Sequence, residues 1–152
     1  MALGFTMGLP QEDRALAMRS KFEDDMAGLM GGRVAEEIVF ADVTTGASND
    51  LERVTRIARD MVTRYGMSEL LGPITFGAQD DLVFLGREIG EQVNYSQDIA
   101  ETIDAEVERL VRRAHERARD ALHANLEKLH RVAHRLMEVE TIDRPEFDAL
   151  VA

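Results

Sequence analysis

Residues 49–66 read NDLERVTRIARDMVTRYG, and this stretch decides the fold. Asp50, Val54, Ile57 and Met61 fall at i, i+4, i+7 and i+11, the spacing that lines side chains along one face of a helix. Leu51, Ala58, Val62 and Tyr65 widen that face into an apolar band, while most other positions are charged or polar. Gly66 is placed to stop the helix, because glycine takes the left-handed conformation of a helix C-terminus without steric cost. Asn49 followed by Glu52 is a candidate capping box at its start.

Outward from this helix the same logic applies in both directions. Upstream, Asp42 to Ser48 is a polar turn. Before it, Phe22, Met26, Leu29 and Met30 mark a helix from Lys21 to about Phe40, with Ser20 and Glu23 as a capping pair. Leu3, Phe5, Met7 and Leu9 alternate in period two, so Ala2–Leu9 is expected as a short strand. Downstream, Gly66, Gly72, Pro73, Gly77, Gly86 and Gly90 predict a long, partly extended connection reaching Tyr95. Ser96 then caps a long helix striped by Ile99, Ile103, Val107, Leu110, Val111, Ala114, Ala118 and Leu122. After a break near Asn125, Leu126, Leu129, Val132, Ala133 and Leu136 define another helix, and Asp143 with Glu146 starts a short last one. The expectation is a mainly α, bundle-like fold with a short N-terminal strand and a long Gly-rich connection.

Composition narrows the function. The 29 acidic residues against 18 basic ones give a net charge of −11, which repels a phosphate backbone and argues against nucleic acid as a partner. With no cysteine, any metal must be held by His, Asp or Glu. No apolar run approaches the roughly 18 residues of a membrane span, so the segment itself reads as soluble.

Three groups of residues could carry chemistry. Asp50 lies on the apolar face of its helix and in the first turn, where the helix dipole favours negative charge. It reads either as an ordinary helix-terminal carboxylate or as a metal ligand. Arg33, Glu36 and Glu37 continue the stripe of the preceding helix, with Arg33 and Glu37 four apart. They read either as an ion-pair network between helices or as an outer shell that orients metal ligands. His130 and His134 have the i, i+4 spacing of a zinc helix, with His123 on the same flank. Yet Arg131 stands where a general-base glutamate is needed, and both lie off the apolar stripe, so they read as surface histidines.

The order of short blocks carries more. Ala2-Leu3-Gly4-Phe5-Thr6 is followed by Leu9-Pro10 with Glu12-Asp13-Arg14, and then by Gly31-Gly32-Arg33-Val34-Ala35-Glu36-Glu37. Thr44-Thr45-Gly46-Ala47-Ser48-Asn49-Asp50-Leu51, Tyr65-Gly66-Met67-Ser68, Leu71-Gly72-Pro73 and Phe84-Leu85-Gly86-Arg87 come next. Over essentially the whole chain this series resembles the peptidase domain of the FtsH-type ATP-dependent zinc metalloproteases.

That resemblance implies a zinc endopeptidase joined to an AAA+ ATPase that uses ATP and Mg. It implies a homo-hexamer anchored in the cell membrane with its peptidase domain cytoplasmic, degrading membrane and misfolded polypeptides. It also implies zinc bound by two histidines of a His-Glu-x-x-His helix and by the Asp of the Ser-Asn-Asp-Leu block, here Asp50. In the family the Glu of that helix activates water, and zinc polarises it for attack on the peptide carbonyl.

Residues 1–152 then correspond to the C-terminal part of the peptidase domain, with the His-Glu-x-x-His helix and the ATPase expected upstream of Met1. On this view the chain by itself is inactive, since it holds one of three zinc ligands and no general base. Ala41 stands where the family usually has glycine before the Asp42-Val43 pair, and Phe5 where it often has tyrosine. The competing reading is a non-enzymatic helical oligomerisation module, a truncated paralogue that binds subunits through the Ile99–Leu122 stripe.

Overall fold

The computed structural model describes residues 16–77 and 95–152, and the expected strand at 2–9 and much of the Gly-rich connection lie outside them. Five helices are present among the described residues: α1 Arg19–Phe40, α2 Ser48–Thr63, α3 Gln97–Ala124, α4 Leu126–Val139 and α5 Arg144–Val151. A 3-10 turn, Thr45–Ala47, leads directly into α2. The mainly α expectation is met.

The core is one seam where α1, α2 and α3 meet. From α1 come Met26, Met30 and Val34, from α2 Val54, Ala58, Met61 and Val62, and from α3 Ile103, Val107, Leu110, Ala114 and Ala118. Each set repeats at three and four residues, so helix formation and burial are satisfied by the same positions. Fully burying a large apolar side chain contributes about 1.5–3 kcal/mol, and Met26, Met61, Ile103, Leu110, Val34, Val54 and Val62 are all essentially inaccessible. The stripe on α3 is therefore covered by α1 and α2 of the same chain, which removes it as the subunit-binding face of the competing reading.

Helix starts divide into two kinds. Ser96 Oγ accepts from the Ile99 amide at 3.4 Å, and Asp143 Oδ1 accepts from the Glu146 amide at 2.9 Å, as expected. Ser20 and Asn49, by contrast, lie inside their helices and cap nothing. α1 starts earlier, at Arg19, whose guanidinium bonds Glu23 and Glu69. α2 starts at Ser48 because the 3-10 turn before it already runs in helical sense. Its end also comes sooner than the apolar pattern suggests: the helix stops at Thr63 and leaves Tyr65 half-exposed, stacked on Phe22 with ring centroids 5.4 Å apart. Gly66 follows at φ +59, and a Cβ there would sit 2.9 Å from the Pro73 backbone, so the turn admits only glycine.

The α4–α5 pair stands apart. α5 is tied to α4 by Arg135 to Glu146 at 2.5 Å and by the Lys128 ammonium, which donates to the Val151 carbonyl at 2.5 Å. Among the described residues no side chain of either helix is buried, and Leu136, Met137 and Phe147 are exposed. The apolar stripe of α4 forms the expected helix but, among the described residues, meets only α5 and α3.

Ala41 ends α1 in the left-handed region, at φ 52 and ψ 26. A side chain is disfavoured there by roughly 1–2 kcal/mol relative to the right-handed form, a cost glycine escapes. This is the conformation that favours the glycine expected there from the resemblance. Ala41 is exposed and has no packing to lose, so Ala41→Gly should raise stability by about 1 kcal/mol. Leu110→Ala, in the seam, should instead cost about 2–5 kcal/mol. Denaturant unfolding followed by circular dichroism measures both, and a destabilised Ala41→Gly variant would contradict the strain argument.

Candidate metal ligand and its surroundings

Asp50 occupies the first turn of α2, four residues before the buried Val54. Its residue is half-buried instead of facing fully inward, because the stripe reaches the rim of the seam at this end of α2. Among the described residues no side chain bonds or pairs with its carboxylate. An oxygen donor held at a helix N-terminus and left without a partner has the chemistry of a zinc ligand. No group of three or more His, Asp or Glu able to hold a metal occurs among the described residues, so the further ligands would have to come from outside them.

The backbone leading to Asp50 is anchored on α1. Glu36 accepts from the Thr44 amide through Oε2 at 3.0 Å and from the Thr44 hydroxyl through Oε1 at 2.9 Å. The Thr44 hydroxyl in turn accepts from the Gly46 amide at 3.1 Å, opening the 3-10 turn.

Arg33 and Glu37 point elsewhere. Arg33 Nε donates to Glu37 Oε1 at 2.8 Å, and His115 Nε2 lies 2.7 Å from Glu37 Oε2. An ionised carboxylate only accepts, so the imidazole is the donor. The Arg33 guanidinium, and after it His115, hold the Glu37 carboxyl below its ordinary value against the opposing effect of burial. The three sequence-predicted residues, all on α1, thus form two devices: Glu36 holds the turn before Asp50, and the Arg33–Glu37 pair reaches α3 through His115. His130, His134 and His123 are exposed and form no cluster with Asp50.

Pattern reading passed over a third device. Glu106 is 5% exposed within α3, accepting from Arg109 at 2.7 and 3.0 Å and from the Ser68 hydroxyl at 2.6 Å. Ser68 Oγ also accepts from the Leu71 amide at 3.0 Å, so the segment after α2 is pinned to α3. A signal existed: Glu106 sits between Ile103 and Leu110 on the buried arc, where a carboxylate needs a partner. His115, four after Val111 and three before Ala118, gave a weaker one.

Comparison with known proteins shows the family of the chain. The family model for peptidase family M41 matches residues 1–150. This chain belongs to peptidase family M41. It is 52% identical over 147 residues to ATP-dependent zinc metalloprotease FtsH 1 of Sphaerobacter thermophilus, covering 97% of this chain and 22% of that protein. It is 53% identical over 151 residues to ATP-dependent zinc metalloprotease FtsH of Slackia heliotrinireducens, covering 99% of this chain and 19% of that protein. A third relative, FtsH of Kosmotoga olearia, is 51% identical over 150 residues, covering 99% of this chain and 23% of that protein. The chain therefore spans about a fifth of the length of these M41 relatives. No helix among its described residues is long and apolar enough to cross a membrane.

The Glu106 clasp gives a pH dependence. Arg109, and after it Ser68, hold the Glu106 carboxyl below its ordinary value of 4.5, although burial works the other way. A depressed folded-state value means that the unfolded chain binds this proton more readily. The stabilisation is present above about pH 4.5 and is lost as pH falls through the folded value. Glu106→Gln should be less stable than the parent near neutrality, with the gap closing as the solution is acidified below that point. Unfolding midpoints of both chains across acidic pH check this; a gap that stays constant would remove the charge from the explanation.

Proposed function

We propose that residues 1–152 form the C-terminal part of the peptidase domain of a membrane-anchored, hexameric, ATP-dependent zinc endopeptidase that degrades membrane and misfolded proteins. In this reading Asp50 is one of three protein ligands to zinc. The membrane anchor, the ATPase with its ATP and Mg, the two histidine ligands and the general-base glutamate come from elsewhere in a longer protein. The peptidase domain lies on the cytoplasmic side, and this chain alone does not cleave peptides.

The observation that carries the reading is the placement of Asp50: an acidic side chain in the first turn of α2, at the rim of the buried seam, unpartnered among the described residues. Zinc when bound supplies the Lewis acidity for peptide hydrolysis. This chain supplies a carboxylate oxygen and the rigid frame behind it. Glu36 orients the turn that delivers Asp50, while Arg33 and Glu37 keep α1 seated against α3 through His115. The exposed apolar side chains of α4 and α5 offer surface for contacts around the ring.

The test is Asp50→Asn in the full-length protein. An amide oxygen is a much poorer zinc donor than a carboxylate. The variant should keep its ATPase activity and hexamer while losing most bound zinc and most protein degradation. Under the helix-terminal reading the same change costs under about 1 kcal/mol and leaves both nearly intact. Metal analysis with a degradation assay separates the two, and full zinc with normal degradation would withdraw Asp50 from the site.

A further inference from the structure

Because no side chain among the described residues bonds Asp50, its direction is set by the backbone that carries it. That backbone is continuous from the 3-10 turn Thr45–Ala47 into α2. A shift at residues 44–46 is therefore passed along the chain to Asp50. On α1, the carboxylate of Glu36 holds this turn, one oxygen accepting the Thr44 amide and the other the Thr44 hydroxyl. The same hydroxyl accepts the Gly46 amide, so it carries the grip of Glu36 two residues nearer to Asp50. A Cβ at Gly46 would come within 3.2 Å of Thr44 Oγ1 and 3.9 Å of Glu36 Oε1, which shows how closely the turn is drawn onto the clamp.

We propose that Thr44 is a positioning residue of the zinc site: clamped by Glu36, it fixes the start of α2 and with it the direction of the Asp50 carboxylate. This rests on Asp50 being a zinc ligand. A hydroxyl fills the role because it donates to Glu36 and accepts from Gly46 through one atom. Valine has nearly the same shape and does neither; serine does both. Zinc is a strict reporter, because it takes carboxylate oxygens at about 2.0–2.2 Å in a tetrahedral set. Loss of a group hydrogen-bonded to a ligand typically weakens binding by about 10–100-fold, and misdirecting the ligand through its backbone acts on the same metal bond.

The experiment is zinc affinity by chelator competition in the full-length protein, with ATPase activity as the check that the remainder is folded. Thr44→Val should bind zinc about 10–100-fold more weakly. Thr44→Ser should match the parent, and Asp50→Asn should be weaker than either. Glu36→Gln, which turns one accepting oxygen into a donor, is the second variant should Thr44→Val not fold, and it should weaken zinc in the same direction. Wild-type affinity in Thr44→Val or Glu36→Gln, with zinc lost from Asp50→Asn, overturns the positioning role and leaves Asp50 a ligand. Equal losses in Thr44→Val and Thr44→Ser also overturn it, since the hydroxyl would then be irrelevant. Wild-type affinity in Asp50→Asn overturns the ligand reading, and the role of Thr44 with it.

Discussion

The placement of Asp50 depends on the burial of three apolar stripes against one another, those of α1, α2 and α3. None of these helices has a stable alternative in water for its apolar face, and helical stability in proteins comes mostly from such packing. Val34, Val54 and Met61 have no measurable exposure, so the axial position and rotation of α2 are fixed by close-packed neighbours. Asp50 inherits that precision, being one turn from Val54 on the same helix.

Polar contacts add direction to this apolar frame. The Glu36–Thr44 clamp joins α1 to the start of α2, the Arg33–Glu37–His115 chain joins α1 to α3, and the Glu106–Ser68 clasp joins α3 to the segment after α2. Each closes a different side of the same triangle of helices. Surface ion pairs such as Arg59 with Asp104 contribute little by comparison, since solvent screens them. The buried and half-buried groups matter more, because removing one partner leaves a desolvated charge behind.

Much of this was legible in the sequence, and the failures have physical reasons. Helical periodicity indicated α1 to α4 and the Asp143–Glu146 capping pair indicated α5, while the break at Asn125 and the cap at Ser96 followed from local chemistry. Ser20 and Asn49 misled because each lies inside its helix: α1 opens on the Met18 carbonyl, which accepts from the Lys21 and Phe22 amides, and at α2 the 3-10 turn takes up the Ser48 amide through the Thr45 carbonyl. Tyr65 belonged to the apolar pattern but not to the helix, which ends at Thr63 ahead of the turn at Gly66. Asp50 was visible by position, and Glu106 and His115 left a signal on the buried arc of α3, whereas the partners they bond, Ser68 and Glu37, and the grip of Glu36 on Thr44 follow from how the elements pack, which no spacing rule reports. The apolar face of α4 showed that it seeks burial, but not against what.

The central claim is that Asp50 is a metal ligand delivered by a rigid helix start. An experimental structure of the full-length protein loaded with zinc tests it most directly. One Asp50 carboxylate oxygen should lie about 2.0–2.2 Å from the ion, with Thr44 still clamped by Glu36. Zinc held elsewhere, on His130 and His134 for instance, with the Asp50 carboxylate turned away, would contradict it.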